Sequence, residues 1–360
     1  MKILQRYVLN ELWLPFILCF VVLNFIFMGG YLVKAAGLII GRSVPLSDTL
    51  YVLMLALPAM ISYTVPTSLL TAVLVVFGNF SQNNEIRAVK ASGVHIIHVI
   101  MPALILGMGF SLAMFVFNDQ IASNSEFQLR KTTKQMLIKH PMAVIEPGRF
   151  VKLDDNITFL TKKLEGKLMR DIVAYENEGA NKPVRTIIAE RGEITTSEGG
   201  SQMQIRLFDG SISDTDEESV QSLQFETYEF PPLGQEDIRK MQKKKKDLAL
   251  AEILVQLQRE NLSEDTVLEL WNAFHERISF AFGSFIFVFL GIPIAMLVRR
   301  GEIVLSFGIS MAAACLYYVL FVGAKALSIE GVADPAIAYW APNIFLFAVG
   351  FFLLRKALVN

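Results

Sequence analysis

Charged side chains are sparse along most of this chain, so those standing alone among apolar residues mark where chemistry could be done. The segment Gly78–Gly93 reads GNFSQNNEIRAVKASG. This spacing predicts a short helix over Asn84–Ala91, with Asn83 or Asn84 as its cap and Gly93 as its stop. Ile86 and Val89 then share one face, with Glu85 beside them. Such a helix can dock on a protein through an apolar anchor and one charge; the plain alternative is a solvated loop. Lys34 and Lys325 each follow a long uncharged run. A lysine there either snorkels to a membrane interface or meets an anionic group on a substrate, and position alone favours snorkelling. His95 and His98 have the i, i+3 spacing of a helix face. With no carboxylate or cysteine beside them, they read as interfacial polar residues rather than metal ligands. No phosphate-binding loop of the G-x-x-x-x-G-K-[ST] type is present, nor any nucleophile–base arrangement. The expectation is a chain that is not an enzyme and carries no cofactor.

These residues must be positioned by apolar helices. Of the 360 residues, 53% are hydrophobic and 19% charged. Most of the Lys and Arg lie between Asp119 and Arg277. A net charge of -1 excludes a global field for nucleic acid. A helix needs about 20 apolar residues to cross the hydrocarbon. Six runs qualify: Leu12–Val33, Thr49–Phe77, Val94–Asn118, Ile278–Val298, Ile303–Ala324 and Ala336–Leu354. None holds Asp, Glu, Lys or Arg, and backbone groups in lipid must be satisfied within the segment, so all six should be helices. Cys19 and Cys315 lie inside these runs, which leaves no disulfide framework between them. Lys2 and Arg6 precede a run too long for a signal-peptide core, which predicts an uncleaved first span.

The short connections set an orientation. Lys2 with Arg6, Arg87 with Lys90, Arg299 with Arg300, and Arg355 with Lys356 fall on one side of six alternating helices. The other side has only Lys34, Arg42 and Lys325 in its short loops. The positive-inside rule then predicts cytoplasmic termini and an external domain; the Lys243–Lys246 run does not oppose this, because long translocated domains escape the rule.

Between the third and fourth runs the pattern changes to short strands. Met203, Ile205 and Leu207 alternate with polar residues at period two. Further strands are expected at Arg149–Leu153, Ile157–Thr161, Ile172–Tyr175, Val184–Glu190 and Leu223–Phe230. They are separated by turn signals at Pro147-Gly148, Asp154-Asp155-Asn156, Gly199-Gly200 and Asp209-Gly210. This reads as an all-β sandwich, jelly roll or related open barrel. Leu250, Ile253, Leu254 and Leu257 then make an amphipathic helix, read as facing a core rather than a membrane surface. The expected domains are 1–118 (three spans), 119–277 (β-domain with flanking helices) and 278–360 (three spans). No internal repeat is evident.

With these features in hand, the chain resembles the LptF/LptG lipopolysaccharide export permeases over essentially its whole length. Arg6-Tyr7 stands before the first span. The second carries Leu57-Pro58 and Val65-Pro66, and the loop after it reads Asn84-Glu85-Ile86 and then Ala91-Ser92-Gly93. Glu269-Leu270-Trp271-Asn272 and His275-Glu276-Arg277 precede the fourth span, which carries Leu290-Gly291-Ile292-Pro293. The last contains Trp340, Pro342 and Asn343. Asn84 stands where the family commonly has Ser, and the spacing from Arg6-Tyr7 to Glu85 is closer to the LptF branch. The resemblance implies a six-span inner-membrane permease with a periplasmic jelly-roll-like domain. Its implied partners are a second LptF/LptG-type subunit, an LptB-type ATPase dimer, an LptC-type bridge protein and lipopolysaccharide. It further implies that Glu85, Ile86, Val89 and Gly93 belong to the ATPase-coupling loop and that Lys34 and Lys325 contact the substrate. Two other readings compete: an ABC permease for another lipid or lipoprotein, and a non-transporting membrane anchor for a protein-binding β-domain. A secondary transporter fits poorly, because the spans lack carboxylates for ion coupling.

Overall fold

The computed structural model describes residues 2–42, 45–139, 145, 147–152, 157–165, 168–177, 184–196, 202–215, 220–234, 241–259, 262–298 and 302–359. The helices are α1 (Lys2–Arg42), α2 (Leu46–Gln82), α3 (Glu85–Ala91), α4 (Ile97–Val116), α5 (Ser123–Lys139), α6 (Leu250–Leu257), α7 (Glu264–Val298), α8 (Ile303–Ile329) and α9 (Pro335–Val359). A π-helical turn, Phe117–Ala122, joins α4 to α5 without a break. The chain forms two compact units. One comprises Met1–Gly30, Ala56–Phe127 and Lys243–Asn360; the other comprises Tyr31–Leu55 and Gln128–Gln242.

Six helices are long and apolar enough to cross a membrane, three before and three after an inserted antiparallel sheet. This is a helical membrane protein with a β domain, as the uncharged runs predict. Helical structure continues beyond those runs, as in α1, which begins at Lys2 and ends at Arg42. The third membrane-length helix runs from Ile97 through Met136, and the fourth begins at Glu264. Positions 118/119 and 277/278 therefore fall inside helices.

Within the helical unit, α2 and α7 are central. In its most apolar stretch α2 is 89% buried, against 17% for α1. Small residues let the axes approach. A Cβ on Gly291 of α7 would stand 2.8 Å from Leu70 of α2, and one on Gly107 of α4 would stand 3.0 Å from Val288 of α7. Several hydroxyls in the apolar interior bond locally or across helices. Ser68 donates to the Thr64 carbonyl at 2.7 Å, and Thr71 and Ser310 share a hydrogen bond of 2.7 Å between α2 and α8.

The β unit holds β1 (Phe150–Lys152), β2 (Ile157–Glu165), β3 (Leu168–Asn177), β4 (Val184–Thr196), β5 (Gln202–Thr215), β6 (Val220–Glu229) and β7 (Leu233–Gly234). Strands β1 to β6 pair antiparallel in sequence order, and β7 pairs with β5. Among the described residues this is a meander, with no crossover between strands. The expected turns at Asp154–Asn156 and Gly199-Gly200 lie outside the described residues.

The sheet has a crease. The pairing ladders run on either side of the row Lys162, Asp171, Glu190, Asp209, Glu226 and skip the row itself. Asp171 and Asp209 take left-handed backbone angles, φ 54 each. Burial parity changes across the row: Met169 on one side gives way to Ile172 and Ala174 on the other, and Ile187 and Ala189 give way to Ile194. An extra kink in each strand turns the same side inward again, so a single apolar cluster runs past the crease.

Gly210 sits beside the crease, where a Cβ would stand 2.4 Å from the Ile188 carbonyl oxygen and from the Phe225 ring. Gly210→Ala is therefore expected to destabilise the β unit by about 1–3 kcal/mol, the usual cost of overpacking. Limited proteolysis of the purified protein should cut within 157–229 faster in this variant; unchanged protection would show that the crease tolerates a side chain.

Candidate functional site

The loop between α2 and α4 is a helix seated on the bundle. At the end of α2 the Asn83 amide donates to the Asn79 carbonyl at 2.9 Å, and a tight turn follows. Asn84 precedes α3 with a left-handed φ of 59, and its side chain caps no amide. It accepts instead from Arg87 Nη1 at 3.1 Å. A left-handed residue directs its side chain away from the amides of the next turn, so the cap expected from sequence does not form. Gly93, at φ 79, ends the segment, and its amide donates to the Lys90 carbonyl at 3.1 Å.

Ile86 is buried in the main core, and Val89 packs against the same cluster. Both face the chain's own bundle and anchor the helix there. Arg87, Ala88 and Ala91 are exposed on the other side, with Glu85 half-buried between the two faces. Tyr7 of α1 stacks on Phe80 with ring centroids 5.4 Å apart, and its hydroxyl reaches Glu85 Oε2 at 3.5 Å. Lys90 donates to the Leu358 carbonyl of α9 at 3.3 Å, and Ser81 donates to the Met296 carbonyl of α7 at 3.2 Å. The loop is thus tied to four membrane helices.

At the opposite end of α7, a charged cluster surrounds the point where the chain re-enters the helical unit. Arg277 is 6% and Asp119 15% exposed at the side chain. Arg277 Nη1 donates to Asp119 Oδ1 and to the Leu248 carbonyl, each at 2.6 Å, while Nη2 donates to the Lys246 carbonyl at 3.1 Å. The same Asp119 oxygen accepts from the Leu250 amide at 2.8 Å. The π turn makes this possible. Its wider ring lies at Asn118 and Asp119, where Asn118 accepts from Ser62 at 2.6 Å and Ser123 donates to the Asn118 carbonyl at 2.9 Å. The strap, the segment that leads the chain back into α7, also carries α6, whose Leu250 and Ile253 are buried against Leu270 and Ala273, while Leu254 is exposed. Glu252 accepts from the Ala249 amide at 2.8 Å, which holds its carboxyl below the usual range.

Beside this clamp is a cavity of about 370 Å³, lined in part by Tyr63, Asn118, Glu126, Lys246, Glu276 and Lys325. Lys325 Nζ meets Glu276 Oε1 at 2.5 Å, and Lys246 pairs with Glu126. The cavity is thus ringed by ion pairs that join α5, α7, α8 and the strap.

The sequence matches the family of the lipopolysaccharide export system permease LptF/LptG over residues 6–356. The chain belongs to that family. Among curated relatives, it is 21% identical over 365 residues to the lipopolysaccharide export system permease protein LptF of Escherichia coli (strain K12), covering 98% of this chain and 94% of that protein. The protein of the same name from Shigella flexneri aligns with the same identity and coverage. It is also 26% identical over 143 residues to uncharacterized protein RP871 of Rickettsia prowazekii (strain Madrid E), covering 39% of this chain and 40% of that protein.

In this LptF/LptG family member, Glu85, Ile86 and Val89 stand on one short helix that Gly93 closes off, and Lys325 lines a cavity. Lys34 lies within α1, but its side chain is outside the described residues, as are Arg299 and Arg300. Sequence reading did not single out Tyr7 as the neighbour of Glu85, nor Asp119, Glu276 and Arg277 as a cluster. The one available signal was charge placed directly at the edges of uncharged runs.

Removing one partner of a buried ion pair strands the other. Arg277→Met should lower the unfolding free energy by about 3–5 kcal/mol, and adding Asp119→Asn should recover part of it. Arg277→Lys keeps the charge but loses the fork that serves three acceptors, so it should fall between wild type and Arg277→Met. Thermal unfolding of the purified variants checks this order; a Lys variant equal to wild type would reduce Arg277 to a point charge.

Proposed function

We propose that this chain is a permease subunit of an ABC transporter that extracts lipopolysaccharide from the inner membrane and passes it to a periplasmic bridge. Its termini are cytoplasmic and its β unit periplasmic, in accord with the basic residues on the short connections. It pairs with a second LptF/LptG-type subunit and takes its energy from an LptB-type ATPase dimer that meets the α3 loop. The bridge begins with an LptC-type protein. The LptF-type relatives that align along their length support the LptF side of the pair.

The observation that carries this reading is the family match along nearly the whole chain together with the seating of α3. Ile86 and Val89 hold the helix on the bundle, which leaves Glu85 and the exposed Arg87–Ala88–Ala91 face for the ATPase. A force on that face reaches α2, α7 and α9 through the backbone and the Ser81 and Lys90 contacts. Lys325, at the other end, is a cation offered to the lipid's phosphates, and Lys34 is proposed as a second. The creased sheet, with its apolar inner face, suits acyl chains.

Truncating one side of a desolvated interfacial charge pair costs about 2–5 kcal/mol. Glu85→Ala is therefore expected to reduce ATPase co-purification and lipopolysaccharide release at least tenfold, with membrane insertion intact. Tyr7→Phe should do so weakly, because it removes only the long contact to Glu85. Normal transport by Glu85→Ala would remove the carboxylate from the coupling.

The orientation has its own test. In a background with Cys19 and Cys315 replaced, a cysteine at Ser213 should react with an impermeant maleimide from outside the cell, and one at Asn360 should not. The reverse pattern would invert the topology and place α3 away from any cytoplasmic ATPase.

A further inference from the structure

The cavity beside the clamp is built from cations that already hold carboxylates. Lys325 is bound to Glu276 at 2.5 Å, Lys246 to Glu126, and Arg277 to Asp119. The three pairs are not equivalent. Arg277 and Asp119 are nearly closed to water and their remaining bonds go to backbone, so neither is free to turn toward a ligand. Lys325 and Glu276 are 38% and 32% exposed at the side chain, and both stand on the cavity wall. Lys325 rises from the last turns of α8 and Glu276 from α7, so the pair bridges two helices. An ammonium on a four-carbon stem is a mobile point charge, and a partly exposed pair of this kind has a small net value. Such a pair can exchange its anion.

We propose that Glu276 is a resident counter-ion that occupies Lys325 in the empty permease and is displaced by a phosphate of the lipid head group. This deepens the export reading and rests on it. The carboxylate serves two ends. It neutralises Lys325 beside apolar neighbours such as Phe321 and Val322 when no lipid is present. It also sets a threshold for entry: a ligand must bring an anion that outcompetes a tethered carboxylate, which a phosphate monoester with its greater charge does and a neutral or zwitterionic head group does not. Glu276 is in this sense a specificity residue that acts through Lys325. Release of Glu276 also removes one of the ties between α7 and α8 at this end, so arrival of substrate changes a contact between two membrane helices. Nearby, Asn272 and Ser328 remain hydrogen-bonded at 2.5 Å and keep the helices in register.

The test is photocrosslinking to lipopolysaccharide from a benzoylphenylalanine at Val322, one turn from Lys325, in the complete purified complex without ATP. Removing the competitor by Glu276→Gln should raise the crosslinked yield at limiting lipid about two- to fivefold, the range expected from the small value of a partly exposed pair. Glu276→Asp, which shortens the reach, should give a smaller gain and guards against a folding defect in the Gln variant. Lys325→Gln should lower the yield, and Glu276→Gln should then bring no further gain. Enzymatically dephosphorylated lipopolysaccharide should crosslink equally to wild type and Glu276→Gln. An equal or lower yield in both Glu276 variants, with wild type still crosslinking, overturns the counter-ion role and leaves the pair as a structural tie. No crosslink in any variant, with protein melting normally, overturns the export reading at this site and the proposal with it.

Discussion

A guanidinium closed off from water beside a membrane bundle has to be neutralised and hydrogen-bonded, and that requirement organises the helical unit. Arg277 meets it with one carboxylate and two backbone carbonyls. Asp119 comes from the π turn, and the carbonyls come from the strap that returns the chain to α7. Breaking the register of any of the three would leave charge or backbone unsatisfied in a poor solvent, at a cost comparable to much of a protein's net stability. The clamp therefore fixes where the inserted segment leaves and re-enters.

The two most buried helices connect the two ends of the unit. α2 carries Ser62 and Tyr63 near the cavity and ends at the seat of α3; α7 carries Glu276 and Arg277 at one end and Met296, which accepts from Ser81, at the other. Close packing at Gly291 and Gly107 makes these helices bear on each other and on α4 with little slack. A displacement at the α3 loop and a change of ion pairing at the cavity thus act on the same two rods. This continuity suits the proposed coupling to a partner ATPase. A membrane helix can carry a push because its backbone bonds are satisfied internally and do not yield to lipid.

The charges near the cavity also show why position in a sequence underdetermines role. The Lys243–Lys246 run enters the sequence reading only as charge in a long external domain, yet Lys243, Lys245 and Lys246 each meet a carboxylate. Lys325 reads as a snorkelling residue, yet it bridges two helices. For Lys246 and Lys325 the partner lies 120 and 49 positions away along the chain, and nothing in local spacing reveals it.

Much of the architecture was legible because its causes are local. An uncharged run long enough to cross a bilayer has to be helical, and alternation at period two has to make a half-buried strand, so the six helices and the positions of most strands follow from composition alone. α3 was legible within one residue for the same reason; of the apolar face read for α6, Leu250 and Ile253 are buried but Leu254 is exposed. The π turn, the left-handed Asn84 and the crease through Asp171 and Asp209 were not, since single residues with such backbone angles leave no periodic mark in the sequence. The candidate sites divide in the same way. Glu85 and Lys325 stood out as charges isolated among apolar neighbours, but Tyr7, Glu276, Asp119 and Arg277 acquire meaning only from contacts across 49 to 158 positions. Sequence alone determined which segments leave water. Tertiary structure decided which charges face each other once there, because the energy of an ion pair depends on distance in space and is blind to separation along the chain.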